Sequence, residues 1–419
     1  MEKTIAIICT LDTKWKEIKF LRNVILKRGH KVTILDISLC GDAPLSGDIS
    51  PAEIAIAGES DIDTVRRLAP NARSKVCEIM TKGSIVKVNE LFEAGKLDGI
   101  ISIGGNSNTA MATNVMKSLP FGVPKFMVSS AASMPAYAAG FIGTSDITMM
   151  HSVVDIAGTN DLNLDVLTRA GGAISGMVET GGAILQKAVK KREKPLIALT
   201  EFNFSETAAK IAMKYLEEKG FEVIGIHAQG MGDRAMEELI EQGLFDGVLD
   251  FVLGGVSENI IGGNRDAGPT RLEAAGNVGI PQVVSPCGFE MISCGPLSRR
   301  DQGDPLWNSR RLAERKLFLQ DDFRVQARTT KEELREIAIA VARKLNKAKG
   351  PVKFLIPLRG WSTLTTEAGP LYEPETDEVF NEEIKKYLRP EIELKELDVE
   401  LNSAEFAKAF VDALVDMMP

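Results

Sequence analysis

The sequence predicts an α/β protein built from two Rossmann-like, doubly wound domains with mainly parallel sheets, related by apparent duplication. Three observations carry this reading. Apolar runs of strand length alternate with amphipathic segments of helix length, the pattern of parallel strands covered by helices on both faces. One strand–loop–helix–Gly–strand unit occurs twice, as TIAIICTLDTKWKEIKFLRNVILKRGHKVTILD from Thr4 and as PLIALTEFNFSETAAKIAMKYLEEKGFEVIGIH from Pro195. At 419 residues the chain is also too long for one ordinary core.

The elements follow in order. The first strand lies in MEKTIAIICT, whose apolar run is strand length and meets LDTK at once, so a signal peptide is not expected. Gly29 and Gly220 stand just past the paired helices, where a left-handed C-cap is wanted. An insertion from about Ser38 to Val88 contains the helices PAEIAIAG and SDIDTVRRLAP. ELFEAGKLDGIISIGG, Glu90 to Gly105, is then echoed by ELIEQGLFDGVLDFVLGG, Glu238 to Gly255. GVPKFMVSS at Gly122 is likewise echoed by GIPQVVSP at Gly279. The expected domains are residues 1–190 and 191–419, joined at the charged AVKKREK, Ala188 to Lys194. The second domain adds helices near Lys331–Lys347, Asp377–Tyr387 and Ala404–Met417, with strands KFLIPL and IELKELDV between them. SRRDQGDPLWNSRR reads as a long polar loop, either mobile or in contact with a partner.

Composition narrows the function classes. A net charge of −8 without a long basic run argues against nucleic acid as a partner. No apolar stretch reaches membrane-spanning length. Five scattered cysteines without a CxxC pair suit the reducing cytoplasm. Three histidines and no HExxH leave no expected metal site.

Ligands of open parallel sheets sit outside the carboxyl ends of the strands. Four polar segments in the first domain meet that condition: Thr10, Asp12 and Thr13 in CTLDTK; GGNSNT, Gly104 to Thr109; Ser129, Ser130 and Ser133 in SSAAS; and Ser145, Asp146 and His151 in TSDITMMH. GGNSNT, with Gly105, Asn106, Ser107 and Asn108, is either a phosphate cradle on a helix N-terminus or a tight turn capped by Ser107, Asn108 or Thr109. The convergence of four polar loops on one sheet edge favours the cradle. It is not a Walker A loop, since no Lys has that spacing, so charge compensation falls to backbone dipoles, Lys14 or a metal on Asp12.

In the second domain Gly230, Gly232 and Ala235 fit GxGxxA, with Asp250 twenty residues beyond Gly230. Asp250 lies inside an apolar run, so a phosphate or carboxylate on the helix N-terminus is preferred over a dinucleotide. Arg265 and Arg271 in GGNRDAGPTRLEAA are candidate anion clamps, with a solvated pair as the alternative. Cys287, Glu290 and His227 each follow a strand and are candidates for nucleophilic or acid–base work. Arg359 and Ser362 in PLRGWSTL could reach the same cleft, whereas Trp361 suits packing or a rim.

TLDTK, GDISPAEIA, DGIISIGG, GVPKFMVS, SDITMMHSVVDIAGTN and GGAISGMV, with GDRAME, AGPTRLEAA, GIPQVVSP and IPLRG, resemble an uncharacterised bacterial, fungal and plant family. The family is named for the ATP-binding inhibitory domain of the tomato tobamovirus-resistance protein, and the similarity covers nearly the whole chain. The resemblance implies two Rossmann-like subdomains, binding of ATP alone or with Mg²⁺, and a homodimer; it implies no particular reaction. It carries nucleotide binding onto Thr10, Asp12, Thr13, Gly104, Gly105 and Thr109, and second-domain binding onto His227, Gly230, Gly232, Arg234 and Arg271. Three departures bear on the ligand: Trp15 follows TLDTK, Asn106–Asn108 replace smaller residues, and Asp233 stands beside a candidate anion site. The expected function is therefore a cytoplasmic ATP-binding protein with no reaction assigned. Alternatives are an enzyme acting on a small carboxylate or phosphate metabolite between the domains, and a nucleotide-dependent regulatory protein.

Overall fold

The computed structural model describes residues 2–39, 43–181 and 192–418, so Cys40 and most of the expected joint lie outside the described residues. The chain divides into two compact units, Met1–Lys191 and Arg192–Pro419. Among the described residues no helix is long and apolar enough to cross a membrane.

The first unit is a five-stranded parallel sheet. Its strands are β1 (Thr4–Cys9), β2 (Lys31–Asp36), β3 (Gly99–Gly104), β4 (Lys125–Ser129) and β5 (Thr148–His151), in the order β2-β1-β3-β4-β5. Side chains alternate along β1. Ile5, Ile7 and Cys9 pack with Ile18, Leu21 and Leu167 on one face. Ala6 and Ile8 pack with Ile54, Val65 and Met80 on the other. Burial on both faces is what made these strands read as unbroken apolar runs. The insertion holds the two expected helices, Pro51–Ala57 and Ile62–Leu68, and a third, Arg73–Glu93, which runs into the shared element. Gly29 has φ +84 and Gly220 φ +92, the left-handed conformation their positions demanded.

The second unit has a six-stranded parallel sheet of β6 (Leu196–Glu201), β7 (Glu222–His227), β8 (Gly247–Val252), β9 (Gln282–Cys287), β13 (Val352–Pro357) and β14 (Glu393–Leu397). Its order is β14-β13-β9-β8-β6-β7. Between β9 and β13 the chain forms a separate antiparallel sheet of β10 (Met291–Gly295), β11 (Leu317–Leu319) and β12 (Val325–Arg328), in the order β10-β12-β11. The expected late helices are Lys331–Leu345, Pro374–Tyr387 and Ala404–Val415. A Thr330/Glu333 capping box fixes the start of the first of them.

SRRDQGDPLWNSRR is not an open loop. It contains the short helices Leu297–Asp301 and Pro305–Ser309. Trp307 anchors it: the ring is 2% exposed and its Nε1 donates to the Cys294 carbonyl at 2.9 Å.

Candidate functional site

In the first unit the order β1-β3-β4-β5 brings the loops after those four strands side by side at one sheet edge. The order reverses direction between β1 and β3, where such sheets open a crevice. Thr10 and Thr13 stand on the β1 side, their hydroxyls 3.0 Å apart. Gly104 and Gly105 stand on the β3 side and lead into the helix Asn106–Lys117. Ser130 follows β4, its N–H donating to the Gly104 carbonyl at 3.2 Å. His151 closes β5 and lies 3.3 Å from the Ser133 hydroxyl. Ser145 and Asp146 do not join them, because they precede β5 and so lie at the amino edge. There Asp146 accepts from the buried Lys125 ammonium at 2.6 Å and from the Gly122 N–H at 2.8 Å.

The two helix N-termini at this crevice differ. The helix Leu11–Lys27 already meets protein acceptors: Leu11 N–H donates to Asp36 Oδ1 at 3.2 Å, and Asp12 N–H donates to Ser38 Oγ at 3.0 Å. Asp12 itself accepts from Leu39 N–H, and Lys14 reaches the Ile156 carbonyl. Asp36 and Ser38 are site-forming residues that the sequence reading passed over. Asp36 ends β2 and Ser38 follows it, so the rule applied after β1 and β3 would have found them in ILDIS.

The helix Asn106–Lys117 starts one turn earlier than a side-chain cap would place it. Its N-cap is Gly105, and none of Ser107, Asn108 and Thr109 caps it. Asn108 instead turns onto the sheet, its Nδ2 donating to Ser102 Oγ at 3.0 Å and to the Ile103 carbonyl at 2.8 Å. Thr109 is fully buried, with its hydroxyl on the Gly105 carbonyl at 2.8 Å and on Ser129 Oγ at 2.7 Å. Asn108, Thr109 and Ser129 thus hold the turn's shape and are not ligand-facing side chains. Asn106 and Ser107 are exposed. Among the described residues the backbone N–H groups of Asn106, Ser107 and Asn108 meet no acceptor. A groove of about 890 Å³ opens from this turn between the helices Arg73–Glu93, Asn106–Lys117 and Pro135–Ile142. Cys77, Ile85, Met111, Tyr137 and Phe141 line it.

The second unit's candidates are mostly spoken for. Gly230, at φ +86, caps the helix Met231–Glu241, and its N–H donates to Asp233 Oδ2 at 2.8 Å. A methyl on Gly232 would lie 2.0 Å from the His227 carbonyl oxygen. Both glycines of GxGxxA are therefore required by the turn itself. Arg271 is no anion clamp. It is fully buried, Nε donating to Asp233, Nη1 to Glu237 and Asp250, and Nη2 to Asp250 and the Val252 carbonyl, at 2.7–3.2 Å. Burial pushes the Asp233 carboxyl up, and Arg271 pulls it down. Arg271 is thus the cation that lets Asp233 sit beneath the turn, and it also removes Asp250 as a ribose ligand. Of the residues the resemblance points to at this turn, His227 and Arg234 are exposed.

Arg265 is likewise buried and paired with Glu258, Nε to Oε1 at 2.7 Å. Cys287 and His227 do not meet. β9 and β7 are separated by β8 and β6, about 14 Å at the usual strand spacing. Burial also pushes the Cys287 thiol well up, away from thiolate chemistry. Glu290 is fully buried, and burial raises its carboxyl. Arg359 is bound to Asp398 on the surface, Ser362 is buried, and Trp361 packs edge-on against Phe380. The second unit's counterpart of Gly104–Gly105, Gly254–Gly255, is closed. The first five residues of its helix are buried, and a methyl on Gly255 would lie 2.6 Å from Ala267 Cβ. Among the described residues no group of three or more His, Cys, Asp or Glu is arranged to hold a metal ion.

Family models match both units: Uncharacterised protein family (UPF0261) N-terminal domain over residues 3–182 and its C-terminal domain over residues 194–418. A UPF0261 protein of Clostridium tetani is 38% identical over 419 residues, covering all of both chains. A UPF0261 protein of Brucella suis biovar 1 is 30% identical over 414 residues, covering 96% of this chain and 93% of its own. ToMV resistance protein Tm-1(GCR237) of Solanum lycopersicum is 29% identical over 431 residues, covering 98% of this chain and 55% of its own, so the chain corresponds to about half of the tomato protein. A solved NAD⁺-bound 3-phosphoglycerate dehydrogenase of Entamoeba histolytica superposes with a TM-score of 0.19 and 11% identity over 100% of this chain and 95% of that one. That is below a shared fold, and the fold class rests on the strand orders above. The chain belongs to the UPF0261 family.

Proposed function

We propose that this UPF0261 protein binds a nucleotide in its N-terminal unit, with ATP the ligand its resemblance favours and the phosphates on the turn Gly104–Asn108. One observation carries the reading: the backbone N–H groups of Asn106, Ser107 and Asn108 open a twelve-residue helix and meet no acceptor among the described residues. Such a terminus attracts anions through its free donors and the helix dipole. The residues present fit a phosphate chain. Thr10, Thr13, Ser107 and Ser130 bring hydroxyls to the same edge, and small Gly104 and Gly105 leave the backbone approachable. The adjoining groove has the volume and apolar lining that a base and ribose require. Mg²⁺, if used, would arrive with the triphosphate.

The proposal also takes the protein as a cytoplasmic homodimer. Cys9, Cys77, Cys287 and Cys294 as unpaired thiols support a reducing compartment. Exposed Met134, Tyr137 and Ile142 support a covered apolar face, and light scattering would measure the mass.

Calorimetric titration of the full chain with ATP tests the reading, beside a Ser107→Asp variant. A carboxylate in the first turn favours the helix but opposes a phosphate. The expected result is binding that Ser107→Asp abolishes without loss of thermal stability. ATP binding left intact by Ser107→Asp would remove the phosphates from this turn.

A further inference from the structure

The carboxyl end of β5 carries a nucleophile and a base beside the phosphate turn. His151 is the last residue of β5, and its Nε2 lies 3.3 Å from the Ser133 hydroxyl. Both residues are exposed. A serine within reach of an imidazole is the simplest nucleophile–base pair, and such pairs are often loose before a ligand binds.

The pair is tied to the turn Gly104–Asn108. Gly104 pairs with Ser129 and Ser129 with His151, one lateral row across three neighbouring strands. His151 therefore stands two strand spacings, about 10 Å, from Gly104. Ser130 N–H donates to the Gly104 carbonyl at 3.2 Å. Ser133 follows three residues on, in a bend closed by Met134 N–H on the Ala131 carbonyl at 3.1 Å.

The chain just beyond His151 is strained. Val153 has φ +66, and Val154 N–H donates to the Ser152 carbonyl at 2.7 Å, a γ-turn of the rare, strained hand. A β-branched residue seldom takes that conformation, and Val153 gains no packing from it, being 79% exposed. Ser152 fixes the turn. Its N–H donates to the Ser129 carbonyl at 3.1 Å and its hydroxyl to the Val154 carbonyl at 2.6 Å. Strain of this kind collects at ligand sites, where the surrounding structure holds it in place. Here it ends β5 at His151 and turns the chain toward the helix Leu11–Lys27. Gly158 N–H meets Glu17 of that helix at 2.5 Å, and the Lys14 ammonium meets the Ile156 carbonyl. Lys14 forms no ion pair among the described residues, so a cation without a counter-ion stands at this edge.

We propose that, given the nucleotide reading of this unit, Ser133 takes the terminal phosphoryl group of ATP, with His151 as its base. With its own proton on Nδ1, His151 accepts the Ser133 hydroxyl proton at Nε2. Ser133 Oγ forms a bond to the terminal phosphorus as the bond from that phosphorus to the bridging oxygen breaks, and ADP leaves with the electron pair. The imidazolium then releases its proton to solvent. Lys14 and the free N–H groups of Asn106, Ser107 and Asn108 offset the charge of the phosphates.

The test incubates the full chain with ATP and Mg²⁺, quenches in acid and measures intact and peptide masses, with calorimetry of ATP binding beside it. The expected result is a gain of about 80 Da on Ser133, with one ADP formed per adduct. Ser133→Ala should abolish the adduct, and His151→Gln should slow its formation about 100-fold or more, while both variants still bind ATP. ATP binding with neither adduct nor ADP would overturn the proposal and leave the nucleotide reading standing. ADP formation that Ser133→Ala leaves unchanged would overturn it as well, and so would an adduct formed at the parent rate in His151→Gln. Absence of ATP binding would instead remove the nucleotide reading, and this proposal with it.

Discussion

Replacing Asn106 with proline isolates one backbone donor. Asn106 is the first residue of its helix, where the N–H has no intrahelical acceptor, so its loss costs the fold no hydrogen bond. Gly105 before it is extended, at φ −88 and ψ −164, the conformation a following proline prefers. The substitution therefore removes one of the three N–H groups assigned to phosphate and leaves the helix intact. A hydrogen bond to a charged group contributes about 1.5–3 kcal/mol, so the ATP dissociation constant should rise about 10- to 150-fold. Stability in urea should hold or rise by about 0.4–1 kcal/mol, because proline restricts the unfolded chain. Asn106→Ala keeps the N–H and changes only an exposed side chain, so its affinity should stay within about two-fold. Calorimetric titration of both variants, with urea unfolding beside it, gives the numbers. An Asn106→Pro protein that is folded and binds ATP as tightly as the parent would refute the assignment, and so would an equal loss in Asn106→Ala.

Two further predictions concern the second unit. Arg271→Met leaves Asp233, Glu237 and Asp250 without the cation they enclose. Urea unfolding should show a loss of about 3–5 kcal/mol, with ATP affinity in the first unit unchanged. The second prediction rests on Asp377, where burial, opposed by the Arg328 guanidinium, raises the carboxyl to about 7. Its folded value lies above its unfolded one, so its contribution is complete below about pH 4 and is lost as pH rises toward 7. Over that interval the parent should lose about 4 kcal/mol relative to Asp377→Asn, read from unfolding at a series of pH values. A parallel pH dependence in the two proteins would show that Asp377 ionises normally.

The sheets were legible because a strand buried on both faces is apolar along most of its length. IIC at Ile7, IISI at Ile100 and QVVSP at Gln282 therefore read as strands without any knowledge of their neighbours. Gly29 and Gly220 were legible because only backbone conformation decides them. The fate of polar side chains was not legible, because it depends on partners distant in sequence. Arg271 beside Gly268 and Pro269 has the surroundings of a solvated clamp, yet its carboxylates come from Asp233, Glu237 and Asp250, 21 to 38 residues away. Thr109 and Asn108 have the residue types of a cap, yet Ser129 and the β3 backbone claim them. The Cys287–His227 pairing failed on strand order, which no local pattern encodes. The antiparallel sheet went unread because its strands of three to five residues carry too little periodicity to announce a pairing.

The duplicated Gly-Gly turn shows where the two units part. After Gly104–Gly105 the chain presents Asn106 and Ser107 to solvent, and among the described residues no later element of that unit covers them. After Gly254–Gly255 the chain continues with Val256, Ser257 and Glu258, all buried. Glu258 is occupied by Arg265 and by Ser293 from the antiparallel sheet. A helix terminus closed in this way cannot receive a phosphate chain, whatever its backbone shape. The segments added between β9 and β13 thus do more than extend the second unit. Through Ser293, which donates to Glu258, they help to close in the second unit the edge that stays open in the first.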